Sequence, residues 1–248
     1  MSRSIVGATW DDAPHLAPAA KEALWASYPP YQRDARTKGI PQLGAGAIYP
    51  VEESFIAVKD FPIPKEWPRG FSLDVGWNVT AAMFFAYDRE GETWYGYDCY
   101  KRGQAEPPIH AEAIKARGIW IPGVGDCADI NKLDGVQFLT IYRNLGLILE
   151  LANKAVEAGI QDVYTLLSVG RMKIFARRCA LWFDEFRLYR RDERGRIVKV
   201  NDHLMDCTRY RIRAGISKLA TEPIAVSTLT DPASGFGSGG KSPYAWMG

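Results

Sequence analysis

The chain has 248 residues, 47% of them hydrophobic and 24% charged, which is the balance of a globular protein with a sizeable core. No apolar run approaches the ~20 residues of a membrane helix, and the opening residues MSRSIVGATWDD lack the apolar stretch of a secretory signal. The four cysteines, Cys99, Cys127, Cys179 and Cys207, form no CxxC pair, which argues against a zinc ribbon or disulfide scaffold and fits a reducing cytoplasm. A net charge of +2 is too small for a strongly basic nucleic-acid binder, but it averages unlike parts. Residues 1–70 hold eight basic and eight acidic side chains, whereas residues 171–213 hold thirteen basic against six acidic, leaving an acidic remainder. That asymmetry predicts a polyanion-facing surface beside an acidic one.

The first seventy residues are rich in proline and irregular, with a short strand expected over Ser4–Thr9 and one helix over Ala17–Ser27. FPIPKEWPRG (Phe61–Gly70) reads as a linker. A meander of three strands follows, in FSLDVGW, Val79–Tyr87 and Thr93–Tyr100, the middle one nearly all apolar and so buried on both faces. The spacing then predicts a helix over Pro107–Arg117, a strand over Gly118–Asp126, a helix over Gly135–Asn144 and a strand over Leu147–Leu151. Val156, Ile160, Val163 and Leu167 form one apolar stripe of a helix. Arg171–Phe175 reads as a strand, Ala176–Leu188 as a helix, Arg190–Val200 as a basic β-hairpin and Asp202–Arg213 as the last helix. Beyond about Ala220 the composition is that of a mobile tail. The order predicts an α/β fold, a mixed sheet with helices on its faces.

Three acids stand where separate elements could aim them at one point. Asp74 lies within the strand SLDVGW, where a carboxylate is costly unless it is paired or metal-bound. Asp126 ends the strand GVGD, at the carboxyl edge where open α/β sheets place ligands, and Asp206 lies one helical turn after Asp202. Carboxylates without a His/Cys cluster suit hard divalent cations such as Mg²⁺ or Mn²⁺, and two such ions support phosphodiester hydrolysis. His203 can reach the same place, more readily as a packing residue than as a ligand. Lys173, Arg177, Arg178, Arg190, Arg191, Arg194, Arg196 and Lys199 form the candidate DNA-binding set, suited to backbone contact. GFGSGGKS (Gly235–Ser242) matches the P-loop pattern, but no strand precedes it and Pro243 follows at once, so no ATP site is expected.

TWDDAPHL…RDARTKGIPQLGAGAIYP, FSLDVGW, GVGDC with LDG after it, and EFRLYRRDERGRIVKVNDHLMDCTRY together resemble the C-terminal part of bacteriophage terminase large subunits, in the expected order over about residues 1–213. The resemblance implies an RNase H-like nuclease domain over 71–219, preceded by the tail of an ATPase domain (1–50) and a linker (51–70), and followed by a flexible tail (220–248). It implies carboxylates for two Mg²⁺ or Mn²⁺ ions at Asp74, Asp126 and Asp206, with Asp129 as an alternative second-motif ligand and Asp202 as a fourth acid. The implied activity is cutting concatemeric double-stranded DNA in the host cytoplasm. The implied partners are the portal protein, the terminase small subunit and an ATPase domain whose Walker motifs would lie upstream. The carboxylates alone would equally serve a Holliday-junction resolvase or a ribonuclease H, and a non-catalytic DNA-binding or docking module stands as a third reading.

Overall fold

The computed structural model describes residues 9–10, 16–27, 37, 46–126 and 131–223, with 131–137 described by their backbone alone. The helices are α1 (Pro18–Ser27), α2 (Glu53–Ile56), α3 (Pro107–Lys115), α4 (Asn131–Asn144), α5 (Val156–Ser168), α6 (Ala180–Leu188) and α7 (His203–Ala214). The strands are β1 (Ala57–Val58), β2 (Arg69–Asp74), β3 (Thr80–Asp88), β4 (Thr93–Arg102), β5 (Gly123–Asp126), β6 (Leu149–Leu151) and β7 (Met172–Phe175). They make one mixed sheet in the order β1-β7-β4-β3-β2-β5-β6. The expected meander is its centre, with β3 antiparallel to both β2 and β4 and buried from Thr80 to Ala86. The resulting architecture is the mixed α/β sheet expected, flanked by helices.

Two features position the end of β2. Strand β5 runs parallel to β2 in a register that sets Asp74 opposite Asp126. The pair of strands can close because position 123 is glycine: a Cβ there would lie 2.3 Å from the Phe71 ring, which fills the space instead. Helix α7 lies across β2, β3 and β5, with Leu204, Met205, Cys207 and Thr208 buried beneath it. It is braced from behind by α6, where Trp182 Nε1–H donates to Thr208 Oγ1 at 2.9 Å. Gly215 ends α7 at φ 74°, ψ 178°, a conformation essentially reserved to glycine.

The structure departs from the expectations in several places. The stretch 51–70 is not a free linker. It supplies α2 and β1, which pairs with β7, and it buries Val51 and Ile56. Phe61 and Trp67 pack against Tyr95. The strand expected from Gly118 starts at Gly123, because Gly118 (φ 142°) and the Ile121 N–H to Gly118 carbonyl bond form a turn first. Helix α6 starts at Ala180 rather than Ala176, and the amides of Arg177 and Arg178 donate to the Asp60 carboxylate just before it. Helix α4 begins four residues earlier than the pattern suggested.

The basic hairpin is short, with one antiparallel bridge, Arg191 to Ile197, flanked by the Asp192 N–H to Arg196 carbonyl and Val198 N–H to Arg190 carbonyl bonds. Asp192 Oδ1 accepts from the amides of Arg194 and Arg196, which tightens the loop between the two arms. The neighbouring Arg190, whose carbonyl accepts the Val198 amide across the turn, also bridges to Ala47. The strand expected over Ser4–Thr9 falls outside the described residues except for Thr9, as do the P-loop-like segment, the tail beyond Pro223, Cys127 and Asp129.

Candidate functional site

Asp74, Asp126, Asp202 and Asp206 meet in one open cleft of about 850 Å³ at the carboxyl ends of β2 and β5, faced by the first turns of α7. The local sequence explains the meeting. SLD and GVGD are short apolar strands that end on their acid, so parallel pairing delivers both carboxylates to one edge. Asp206 sits in the first turn of α7 and faces the same edge. Asp202 precedes α7 without capping it by its side chain, and its carboxylate turns to Lys199 at 2.8 Å.

Every carboxylate in the cleft has a cationic or hydroxyl partner. His203 Nδ1 lies 2.8 Å from Asp74 Oδ2, so His203 holds the first acid. Lys154 Nζ lies 2.5 Å from Asp126 Oδ1, and the Tyr210 hydroxyl donates to Asp126 Oδ2 at 3.3 Å. Lys199 Nζ lies 3.2 Å from Asp206 Oδ2, while the buried Arg209 guanidinium pairs with Asp206 Oδ1. Burial raises the Asp74 carboxyl, the charges of Asp206 and Asp126 raise it further, and the His203 hydrogen bond opposes them. The bond to Asp74 in turn raises His203 against the opposing effect of burial. Burial would lower Lys199, yet its contacts with Asp202 and Asp206 outweigh this and raise it. The acids thus form a concentration of negative charge that the fold neutralises with its own side chains.

Among the described residues, no three His, Cys, Asp or Glu side chains close into a metal cage as they stand. The donor chemistry nevertheless fits a hard divalent cation: carboxylate oxygens from three elements converge on an open cleft, and two of the partners holding them, Lys154 and Lys199, are exposed and replaceable charges. Arg209 and Tyr210 follow Asp206 by three and four residues, so helical spacing signalled them as neighbours of the site. Lys154 lies in the loop before α5 and carried no comparable signal.

The basic residues are more scattered than their sequence clustering suggested. Lys199 enters the cleft. Arg191 is tied to Glu157 and to the Gly195 carbonyl. Lys173 donates to the Phe55 carbonyl and stacks over that ring, on β7, outside the cleft lining. Arg177 and Arg178 sit beside Asp60, also outside it. Arg190, Arg194 and Arg196 are exposed. Much of the segment's positive charge is spent on intramolecular pairs, namely Arg171 with Glu92, Arg187 with Glu53 and Arg213 with Asp162.

The sequence of residues 71–214 matches the family model described as the terminase RNaseH-like domain. The chain is 33% identical over 219 residues to the terminase large subunit of Salmonella phage P22, covering 84% of this chain and 44% of that protein. The same identity and share of this chain hold for the large subunit of Enterobacteria phage LP7, of which 46% is covered. The chain thus spans slightly less than half of these relatives. Among solved structures, the P22 large terminase nuclease domain superposes with a TM-score of 0.66 at 29% identity, covering 72% of this chain and 96% of that one. The large terminase nuclease of thermophilic phage G20c with bound magnesium shares the fold, with a TM-score of 0.50 at 13% identity over 69% of this chain and 99% of that one.

Proposed function

Because the chain belongs to the terminase RNaseH-like domain family, we propose that it is the part of a phage terminase large subunit that cuts concatemeric double-stranded DNA by two-metal phosphodiester hydrolysis. The observation that carries this reading is the register pairing of Asp74 with Asp126, faced across one cleft by Asp206. Asp74, Asp126 and Asp206 are the proposed ligands for Mg²⁺ or Mn²⁺, with Asp202 beside them. When bound, the ions would supply the Lewis acidity that activates water and stabilises the leaving oxygen. The chain's own residues set the geometry. The β2–β5 register fixes two carboxylates side by side, His203 orients Asp74, and Arg209 and Tyr210 orient Asp206 and Asp126.

The portal protein, the terminase small subunit and an ATPase portion are the partners this reading carries, in the host cytoplasm. Ile48, Tyr49 and Val51 pack in the core with the nuclease sheet, which supports assigning them to the nuclease portion rather than to an ATPase tail reaching residue 50.

The test is plasmid nicking. Supercoiled plasmid should be converted to nicked and linear forms by the chain with Mn²⁺ or Mg²⁺, and EDTA should abolish the conversion. Cleavage that persists in EDTA would contradict the carboxylate–metal mechanism. DNA that is bound but never cut with either ion would favour the docking-module reading.

The exposed basic turn supports a narrower prediction. Replacing Arg190, Arg194 and Arg196 together by alanine should weaken duplex binding and reduce the slope of log K against log salt by about 2–3, since each phosphate contact contributes about 0.9. Arg191→Ala should do less, because that side chain is already engaged by Glu157. Fluorescence anisotropy over a salt series measures both. Unchanged slopes would make the turn a solvated surface.

A further inference from the structure

The cations in the carboxylate cleft fall into two classes by exposure. Arg209 is 2% exposed and cannot leave Asp206 without opening the core. Lys154 and Lys199 are 46% and 58% exposed, and each reaches the cleft on a long flexible stem from a segment outside the helices. Lys154 approaches Asp126 from the loop before α5, and Lys199 approaches Asp202 and Asp206 from the segment before α7. The two ammonium groups therefore sit on the oxygens a divalent ion would need, and they come from two different segments of the chain.

We propose that Lys154 and Lys199 are tethered counter-ions, holding Asp126 and the Asp202–Asp206 pair in a metal-free resting state and giving way to a divalent cation as it binds. The inference rests on the metal-nuclease reading and adds how its site is kept intact without metal. Charge balance favours the exchange. Converging carboxylates that are partly removed from water must be compensated, and two ammonium groups carry the same charge as one divalent ion. Substituting the first of the two ions for the lysine pair leaves the net charge at the carboxylates unchanged and needs only side-chain rotation, because both lysines already reach solvent. Once displaced, the same groups remain at the cleft rim, free to meet a phosphate. The cost is a weaker apparent affinity for metal, because the ion must compete with two intramolecular ligands.

The experiment is a Mn²⁺ titration of the 248-residue chain without DNA, followed by the electron paramagnetic resonance of free Mn²⁺. Lys154→Met and Lys199→Met should each bind Mn²⁺ about two- to fivefold more tightly than the parent, and the double variant about tenfold, in line with the strength of partly exposed ion pairs. Lys199→Arg, which keeps the charge, should stay close to the parent. Lys218→Met removes an ion pair with Glu150 outside the cleft and should change nothing. Thermal melts should show a larger stabilisation by Mn²⁺ in the methionine variants. Equal or weaker affinity in Lys154→Met and Lys199→Met, with the parent binding Mn²⁺ normally, overturns this proposal alone. Absence of Mn²⁺ binding in every variant overturns the metal-nuclease reading and the exchange with it.

Discussion

Asp74→Asn should lower DNA cleavage by roughly 10²–10³-fold, about 3–4 kcal/mol of transition-state stabilisation, while duplex binding stays near the parent value. The substitution keeps the size of the side chain and a group that can meet His203 Nδ1, but it removes the charge that would hold a divalent ion at the end of β2. Folding should not suffer. The ionised carboxyl of Asp74 is disfavoured by burial and by the nearby charges of Asp206 and Asp126, so a neutral isostere relieves strain. The melting temperature is therefore expected to be equal or higher, which separates lost chemistry from lost structure. Asp126→Asn should lower cleavage to a similar extent, because its carboxylate stands opposite Asp74 in the strand register. Single-turnover nicking in Mn²⁺, anisotropy on duplex DNA and a thermal melt together make the measurement. Undiminished cutting by Asp74→Asn would remove the carboxylate cleft from the mechanism.

The part of this site that was legible in the sequence is the part whose position is set locally. SLDVGW and GVGDC each announce a short apolar strand ending on an acid, and the helical spacing of DHLMDCTRY puts Asp206, Arg209 and Tyr210 on one turn. What could not be read is pairing between distant segments. Lys154 meets Asp126, Glu53 meets Arg187 and Asp162 meets Arg213 only because the sheet brings those segments together. Counting charge along 171–213 therefore overstated the surface available to DNA. The prolines at 62, 64 and 68 read as a spacer, whereas the informative residues there were Phe61 and Trp67, whose rings join the core beside Tyr95. Turn chemistry shaped the hairpin: a single Asp192 carboxylate gathers two amides in the loop, and the arms pair only briefly on either side of the Arg191–Ile197 bridge.

Glu185→Ala should destabilise the fold by about 2–3 kcal/mol and lower the melting temperature by roughly 5–10 °C, with cleavage falling as well although Glu185 lies outside the cleft lining. Glu185 is 2% exposed and divides its two oxygens. One accepts from Lys101 Nζ at 2.6 Å, and the other accepts from the Leu204 amide at 2.6 Å. That amide is one of the first N–H groups of α7, which have no partner within the helix, and Asp202 does not cap them with its side chain. Glu185 of α6 therefore pins the start of the helix that carries His203, Asp206, Arg209 and Tyr210. Alanine would leave a buried N–H and a lysine without partners. Lys101 is 20% exposed and can turn partly to water, which is why the loss should fall below that of a fully buried pair. Glu185→Gln keeps one acceptor and should lose less.

The pH dependence of stability has a defined sign. Burial raises the Glu185 carboxyl despite its partners, so the folded state binds this proton more tightly than the unfolded chain does. Stability contributed through this group then falls as pH rises out of the ordinary glutamate range, and Glu185→Gln should flatten that part of the profile. Chemical denaturation from pH 4 to 7 measures the slope, with nicking assays on the same samples. A Glu185→Ala variant with the parent's melting temperature and cleavage rate would show that α7 is held in place without this contact.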